Sequence, residues 1–278
     1  MPSASHIATW GLLPITLGAV YLYLLERRIA RAATLSSGRR AHRPSAASSS
    51  SAAAATPPLP LSLPQDVASN PSTWVLAYER AVSNPVPAWR VSQHQAQQQP
   101  TAPDAKPSAG KTEASPLLRA YARTVQSAFS WTPQAFAIRA SIPEPAIRRS
   151  FDAAWIQNLA FDEGDLVNGV YKVAYRGPGR VPGSERVELV IEAPPSWTGP
   201  EVRGIIVAEV RGGAEAEAEA EAEAKAARQV VFVNETWLWR REGEKATMLE
   251  TAVGKWFHGL LAGWLVMRGI AGVTTENG

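Results

Sequence analysis

Glu235 is the residue whose surroundings in the sequence most favour acid–base chemistry. It lies in the run VVFVNETWLWRR, where alternate residues share one face of a β-strand, so Trp237 and Trp239 lie on its face. A carboxylate that points into an apolar, Trp-lined cavity has a raised pKa and can act as a general acid or base. The alternatives are a carboxylate on the wet face of a sheet and one that pairs with Arg186 or Arg240.

His258 is the second candidate catalytic residue, as a partner of Glu235 in proton transfer. It lies in the helical run GKWFHGLLAGWL on the less apolar side, so a surface histidine is the alternative. Seven tryptophans follow residue 111, a density that suits either a solid core or a pocket for a flat hydrophobic molecule. The pocket interpretation predicts four lining residues, which are Trp155, Trp237, Trp239 and Trp256.

Other reaction classes lack the residues that they need. The chain has no cysteine, which excludes disulfides, iron–sulfur clusters, zinc ribbons and thiol nucleophiles. One of its four histidines follows residue 111, and the sequence contains no GxSxG, HExxH or glycine-rich phosphate loop. The acids of FDEGD (161–165) could hold a metal, but they are more typical of a solvated turn between a helix and a strand. We therefore predict no metal and no cofactor.

The positive charge of the chain is concentrated in its N-terminal part. Residues 1–110 carry a net charge of +5, whereas residues 111–278 carry −2. A basic arm beside a weakly acidic remainder argues against a nucleic-acid groove, so no nucleic-acid partner is expected.

An uncharged run at residues 7–25 predicts a single-pass transmembrane helix. Such a helix would be about 28 Å long, close to the hydrocarbon thickness of a bilayer. Six arginines follow it within residues 26–43, which predicts that the C-terminal side faces the cytosol. The endoplasmic reticulum is the expected membrane. Because the segment is rich in Arg and Ser, a mitochondrial address is the alternative, and a cleaved signal peptide is a further one.

The composition divides the chain into three regions. Residues 1–31 are predicted as the transmembrane anchor with its basic flank, residues 32–114 as a mostly disordered linker, and residues 115–278 as a folded domain. Within the linker, a short element around Trp74 is expected to pack on the domain, since it is too small to fold alone. Residues 212–228 carry Glu at every second position and are predicted to be a low-complexity loop, because Glu residues four apart repel in a helix.

The folded region has the pattern of an α+β domain. Ser115, Thr132 and Pro145 are start signals for three helical segments, and residues 248–272 predict a final helix with a broad apolar stripe. Short connections between four strand-like runs predict an antiparallel meander over residues 167–176, 185–193, 202–211 and 229–241. The predicted fold is an N-terminal transmembrane helix followed by a curved antiparallel sheet of about four or more strands packed with helices, of helix-grip or cone-like type.

Four stretches carry a resemblance to a group of known proteins: FDEGDLVNGVYKVAYRG, VELVIEAPPSW, VVFVNETWLWRR and GKWFHGLLAGWLVMRG. Together with the N-terminal run, they resemble uncharacterised membrane-anchored proteins of filamentous fungi, some of which are associated with natural-product gene clusters. No catalytic motif travels with the resemblance. It therefore implies a setting in secondary metabolism and no particular mechanism.

These observations lead to an expected function with one main alternative. The chain is predicted to be a membrane-anchored accessory protein that binds or acts on a hydrophobic small molecule, as a cofactor-free isomerase, cyclase or dehydratase of secondary metabolism. Glu235 would be its base and His258 the partner. The alternative is a non-catalytic lipid-binding or scaffold module at a membrane surface, and the sequence is consistent with both. The expected partners are the membrane and the hydrophobic molecule.

Overall fold

The computed structural model describes residues 4–40, 56–91, 115–199, 201–212 and 228–274, with side chains from residue 18 onwards. The helices are α1 (Ala4–Ala32), α2 (Gln65–Ser69), α3 (Pro116–Phe129), α4 (Pro133–Ser141), α5 (Pro145–Arg148), α6 (Ala153–Asn158) and α7 (Ala252–Ala271), with a further turn at residues 88–91. The strands are β1 (Ala33–Arg40), β2 (Trp74–Ser83), β3 (Val86–Pro87), β4 (Leu166–Val167), β5 (Tyr171–Pro178), β6 (Ser184–Ile191), β7 (Arg203–Arg211) and β8 (Gln229–Arg241).

All eight strands of the described residues belong to one antiparallel sheet. Its order is β1-β2-β8-β7-β6-β5-β4, and β3 pairs with one end of β8. The predicted meander is confirmed, since β5, β6, β7 and β8 are neighbours in sequence order. Strand β8 is central because Glu235 has Arg80 of β2 opposite on one side and Val207 of β7 on the other. A central position agrees with its apolar residues on both faces.

Strands β1 and β2 come from the region that was predicted as a linker. Strand β2 pairs with β8 from Trp74, opposite Arg241, to Val82, opposite Val233. The prediction of a mostly disordered linker over residues 32–114 is thus corrected for residues 33–40 and 56–91. The composition of this region does not reveal the strands, because β2 is stabilised by its pairing with β8, which lies about 150 residues further along the chain. Residues 41–55, 92–114 and the repeat at 213–227 lie outside the described residues.

The two faces of the sheet have different covers. Helices α3 and α7 pack on one face, here called the helical face, where Tyr121 of α3 stacks against Phe232 of β8. Residues 56–70, here called the strap, lie on the opposite face, the strap face. Leu63 and Val67 of the strap share one buried cluster with Trp237. Strand alternation explains this division, since successive side chains point to opposite faces.

The helix starts follow the predicted caps. The Ser115 hydroxyl accepts a hydrogen bond from the Leu118 N–H, and the Thr132 hydroxyl accepts one from the Ala135 N–H, both at 3.2 Å. The final helix is confirmed as α7. The segment after Pro145 is broken into α5, a 3₁₀ turn and α6, because Asp152 has an extended conformation with ψ of 138°. Trp155 therefore does not share one continuous apolar stripe with the residues before it.

Helix α1 begins at Ala4 and contains the run predicted to span a membrane. Within the described part of the chain, no helix combines the length and the apolar character that crossing a membrane requires. The last turn of α1 belongs to the fold, since Ile29 is buried and Ala33, which directly follows the helix, shares a small apolar cluster with Val266 of α7. The structure is thus an α+β fold, an eight-stranded antiparallel sheet packed with helices.

Candidate functional site

Glu235 lies at the centre of the strap face. Its side chain is buried, and its Oε2 accepts a hydrogen bond of 3.0 Å from Nε1–H of Trp237. Arg80 approaches from β2, with Nε 3.0 Å from Oε1, and Nη2 of Arg186 lies 3.9 Å from Oε2. The contact with Arg80 is an ion pair without the alignment of a hydrogen bond. Burial raises the pKa of Glu235, and the Trp237 hydrogen bond and the two arginines oppose that rise only in part.

Arg186 connects Glu235 to two further buried carboxylates. Its Nη2 is 2.6 Å from Oε2 of Glu209, and its Nη1 is 3.2 Å from Oε1 of Glu188. Arg211 is a second cation against Glu209. We call this set the charge network; it contains three acids and three bases, which are Glu188, Glu209, Glu235, Arg80, Arg186 and Arg211. Since its formal charges cancel, its burial does not leave an uncompensated ion.

The strap is fastened to the charge network by hydrogen bonds. Glu188 accepts bonds from the N–H groups of Leu61 and Ser62, at 2.8 and 2.7 Å, and from the Ser62 hydroxyl at 2.6 Å. The strap thus supplies donors to a carboxylate that the sheet holds, while Leu63 packs on the tryptophans beside it. This arrangement holds the strap against Glu188, a neighbour of Glu235 in the charge network, and Glu235 itself is buried.

A fourth buried carboxylate, Glu79, lies on the helical face. Because successive side chains of β2 point to opposite faces of the sheet, Glu79 lies on the face opposite to Arg80. Its Oε2 makes a short hydrogen bond with Nδ1 of His258 on α7, and both side chains are buried. A Cβ at Gly259 would lie 2.9 Å from Oε1 of Glu79, so the glycine permits the carboxylate to approach the helix.

Glu79 lies at the bottom of a groove between α1, β1 and α7. The groove has a volume of about 420 Å³. Its apolar walls are formed by side chains from all three elements, among them Ile29, Ala30, Leu35, Trp256 and Leu260. Glu26 and Lys255 stand at its sides as charged residues. Thr34, Ser36 and Ser37 add hydroxyl groups, so the groove combines apolar walls with polar and charged side chains, as small-molecule sites do.

The structure brings together only part of the predicted site. Glu235 and His258 lie on opposite faces of the sheet, so they do not form a catalytic pair. Trp237 and Trp239 are buried in the strap-face core, which agrees with the core alternative for these two residues. Trp256 lies at the groove beside Glu79, and His258 supports that carboxylate from the helix.

Trp155, the fourth predicted pocket residue, lies apart from the others. It is 41% exposed on α6, where its Nε1–H donates to the Leu166 carbonyl at 2.9 Å. With Arg149 and Asn158 it lines a separate surface hollow of about 430 Å³. The four-tryptophan pocket is therefore not assembled, because two of its members face the strap, one faces the groove and one faces solvent.

Glu79 is the residue that sequence reasoning missed. The run WVLAYERAV carries two adjacent charges, Glu79 and Arg80, in an otherwise apolar stretch. Ala77 and Ala81 flank Glu79 on the same face, and small residues on a strand let a helix pack closely. This signal is readable in the sequence, but only after the run is recognised as a strand.

Metal-ligating side chains do not cluster in the described residues, where no group of three or more His, Asp or Glu could hold an ion. Asp165 of the FDEGD run accepts a hydrogen bond from the Asp162 N–H, and Asp162 pairs with Arg176. That geometry is the solvated turn that was the alternative to a metal site.

No sequence family, curated protein or solved structure matches the chain.

Proposed function

We propose that the groove binds a small apolar molecule and that Glu79 transfers a proton to and from it. The observation that carries this proposal is the hydrogen bond between Glu79 and His258 at the bottom of the groove. General acid–base catalysis by a positioned carboxylate contributes about 10²–10⁴-fold in rate. In this proposal Glu79 is the catalytic residue and His258 is a positioning residue.

Isomerisation is the reaction class that one carboxylate can complete without a cofactor. Glu79 takes a proton from one carbon of the ligand and returns it to another, so no atom is gained or lost and no oxidation state changes. The hydrogen bond from the imidazole fixes the direction of the carboxylate through both steps. A dehydration would need a separate acid at the leaving hydroxyl, and Lys255 at the side of the groove is the candidate for that role.

A non-catalytic lipid-binding module is the second candidate function. The apolar walls of the groove favour it, because they would hold an acyl or polycyclic group without any proton transfer. We also propose that α1 attaches the protein to a membrane, with the sheet on the cytosolic side. The uncharged run before three exposed arginines, Arg27, Arg28 and Arg31, supports this arrangement. The setting in fungal secondary metabolism stays a prediction.

A groove-filling substitution tests the binding step. Ala30 is an exposed residue of α1 that lines the groove, so Ala30→Trp should fill it, whereas Ala137→Trp on α4 is a matched control far from it. The full chain is labelled in detergent with an apolar phenyldiazirine, and the labelled peptides are mapped by mass spectrometry. Labelling of the peptides that contain Leu35 and Leu260 should fall about tenfold in Ala30→Trp only. Equal labelling of the wild type and Ala30→Trp would contradict the proposal.

The chemical step needs a separate test in a native host. Deletion of the gene defines the compounds that depend on the protein, and Glu79→Gln should reproduce that loss while it keeps the diazirine labelling. If deletion changes no compound although the groove is labelled, the non-catalytic module replaces the enzyme.

A further inference from the structure

Helices α1 and α7 expose a group of large apolar side chains that no part of the described fold covers. On α7, Val253, Trp256 and Phe257 are 77%, 46% and 50% exposed. On α1 the large apolar side chains Val20, Tyr21, Tyr23 and Leu24 each have more than half of their surface exposed. We call these seven residues the apolar end. Single exposed apolar residues are common on protein surfaces, but a group of this size marks an interaction surface.

The two helices bring these residues to the same end of the molecule. They run in the same direction, since Ile29 of α1 packs against Gly263 and Ala33, which directly follows α1, shares a cluster with Val266 further along α7. Residues earlier in each helix lie further in the same direction, and Glu26 and Trp256 line the groove from the two sides. The N-terminal turns of α7 and the middle of α1 therefore lie towards the same end of the molecule.

The charges beside the apolar end are mainly positive. Arg27, Arg28 and Arg31 on α1 and Lys255 on α7 are all exposed. The guanidinium of Arg27 lies 5.5 Å from the centre of the Tyr23 ring, so it turns towards the apolar end. Exposed Trp, Tyr and Phe side chains bordered by basic residues are typical of surfaces that rest in the headgroup region of an anionic bilayer.

We propose that the apolar end docks on the surface of an anionic lipid bilayer. Trp256 and Phe257 then lie among the headgroups, and the four basic side chains contact the lipid phosphates. This docking rests on the proposed attachment through α1 and adds a second contact, from the start of α7. It also gives the groove a source of ligand, because Trp256 and Lys255 belong both to the groove and to the docked surface. An apolar molecule dissolved in the bilayer could then enter without crossing water.

A single fluorescent label can test this docking, because the chain contains no cysteine. The full chain with Val253→Cys is labelled with an environment-sensitive fluorophore and mixed with phosphatidylcholine vesicles that contain about 30% phosphatidylserine. Val181→Cys, in the turn between β5 and β6, carries the same label as a control. We expect a blue shift and quenching by nitroxide-labelled lipids at position 253 only, weakened by the triple change of Arg27, Arg28 and Arg31 to Gln.

The possible outcomes separate the docking from the attachment. Flotation with the vesicles while the label at position 253 stays as exposed to water as that at 181 would overturn the docking and leave the attachment through α1. Failure to float would overturn both. A blue shift that needs no lipid but rises with protein concentration would show that a second copy covers this end, which also overturns the docking. None of these results depends on whether Glu79 is catalytic.

Discussion

Both faces of the sheet bury carboxylates, and the groups around Glu235 on the strap face differ from those around Glu79 on the helical face. Glu235 on the strap face is buried beside Arg80 and Arg186. Glu79 on the helical face has one imidazole as its partner and a groove beside it. Burial alone therefore does not mark a reactive carboxylate. In the proposed function, the number of cations around each carboxylate and its access to a cavity separate the structural role of Glu235 from the chemical role of Glu79.

The energetic meaning of the two arrangements also differs. The charge network is a closed set in which each ion compensates another, so removal of one member leaves buried charge without a partner. The Glu79–His258 pair is a single hydrogen bond between a strand and a helix, and neither residue belongs to the charge network. Substitutions test these differences, beginning with Arg186 at the centre of the charge network.

Arg186→Met should have the largest effect on stability. It removes the cation that links three buried carboxylates, and loss of one partner of a buried ion pair costs about 3–5 kcal/mol. Urea unfolding measures the change in the free energy of unfolding. Lys172→Met is the matched control, because Lys172 and Glu192 form an exposed pair that contributes about 1 kcal/mol or less. Equal losses in the two variants would mean that the charge network has no structural role.

Ser62→Ala should have a smaller effect, confined to the strap. It removes the hydroxyl that donates to Glu188, and a hydrogen bond to a charged group contributes about 1.5–3 kcal/mol. Limited proteolysis should show faster cleavage within residues 56–70, and urea unfolding should show the loss of stability. Ser69→Ala serves as the control, since its exposed hydroxyl bonds only a carbonyl of its own helical turn. If cleavage is as slow as in the wild type, this bond does not hold the strap.

Glu250→Gln should have the smallest effect, and one that depends on pH. Burial alone would raise the pKa of Glu250, but hydrogen bonds from Arg240 and the Thr247 N–H outweigh it and leave the pKa lowered. A lowered pKa in the folded state adds stability above the unfolded pKa of about 4.3, and this is lost as pH falls through the folded value. The free energies of unfolding of the wild type and of Glu250→Gln, measured by urea unfolding, should therefore differ by about 1 kcal/mol at pH 7 and become equal in acid.

The contribution of Glu235 to stability should depend on pH in the opposite direction to that of Glu250. Because burial raises its pKa, the folded state binds a proton more readily than the unfolded state, and stability falls as pH rises between the two values. Urea unfolding at a series of acidic pH values would separate the two glutamates. A parallel pH dependence in Glu235→Gln and Glu250→Gln would contradict this assignment.

The parts of the fold that depend on local pattern could be predicted from the sequence. Strands β5–β8 and the starts of α3 and α4 follow from alternation and capping. The common face of Glu235 and Trp237 follows from the same alternation. The expectation that an element around Trp74 packs on the domain is confirmed, but its type as strand β2 was not predicted because its partner β8 is distant in sequence, and Glu79 was missed with it. Alternation also does not show whether the strap or the helices pack on a given face. The sequence therefore predicts Glu235 and His258 as partners in one site, although they lie on opposite faces of the sheet.

The most direct test of the central claim compares Glu79→Gln with Glu235→Gln in the native host. The compounds that a gene deletion removes are measured in extracts of each strain, relative to the amount of folded protein. We predict that Glu79→Gln loses these compounds while its unfolding free energy changes little, because glutamine can still hydrogen-bond His258. Glu235→Gln should lose stability but keep the compounds in proportion to the protein that remains folded. Loss of the compounds in folded Glu235→Gln, with Glu79→Gln fully active, would contradict the account.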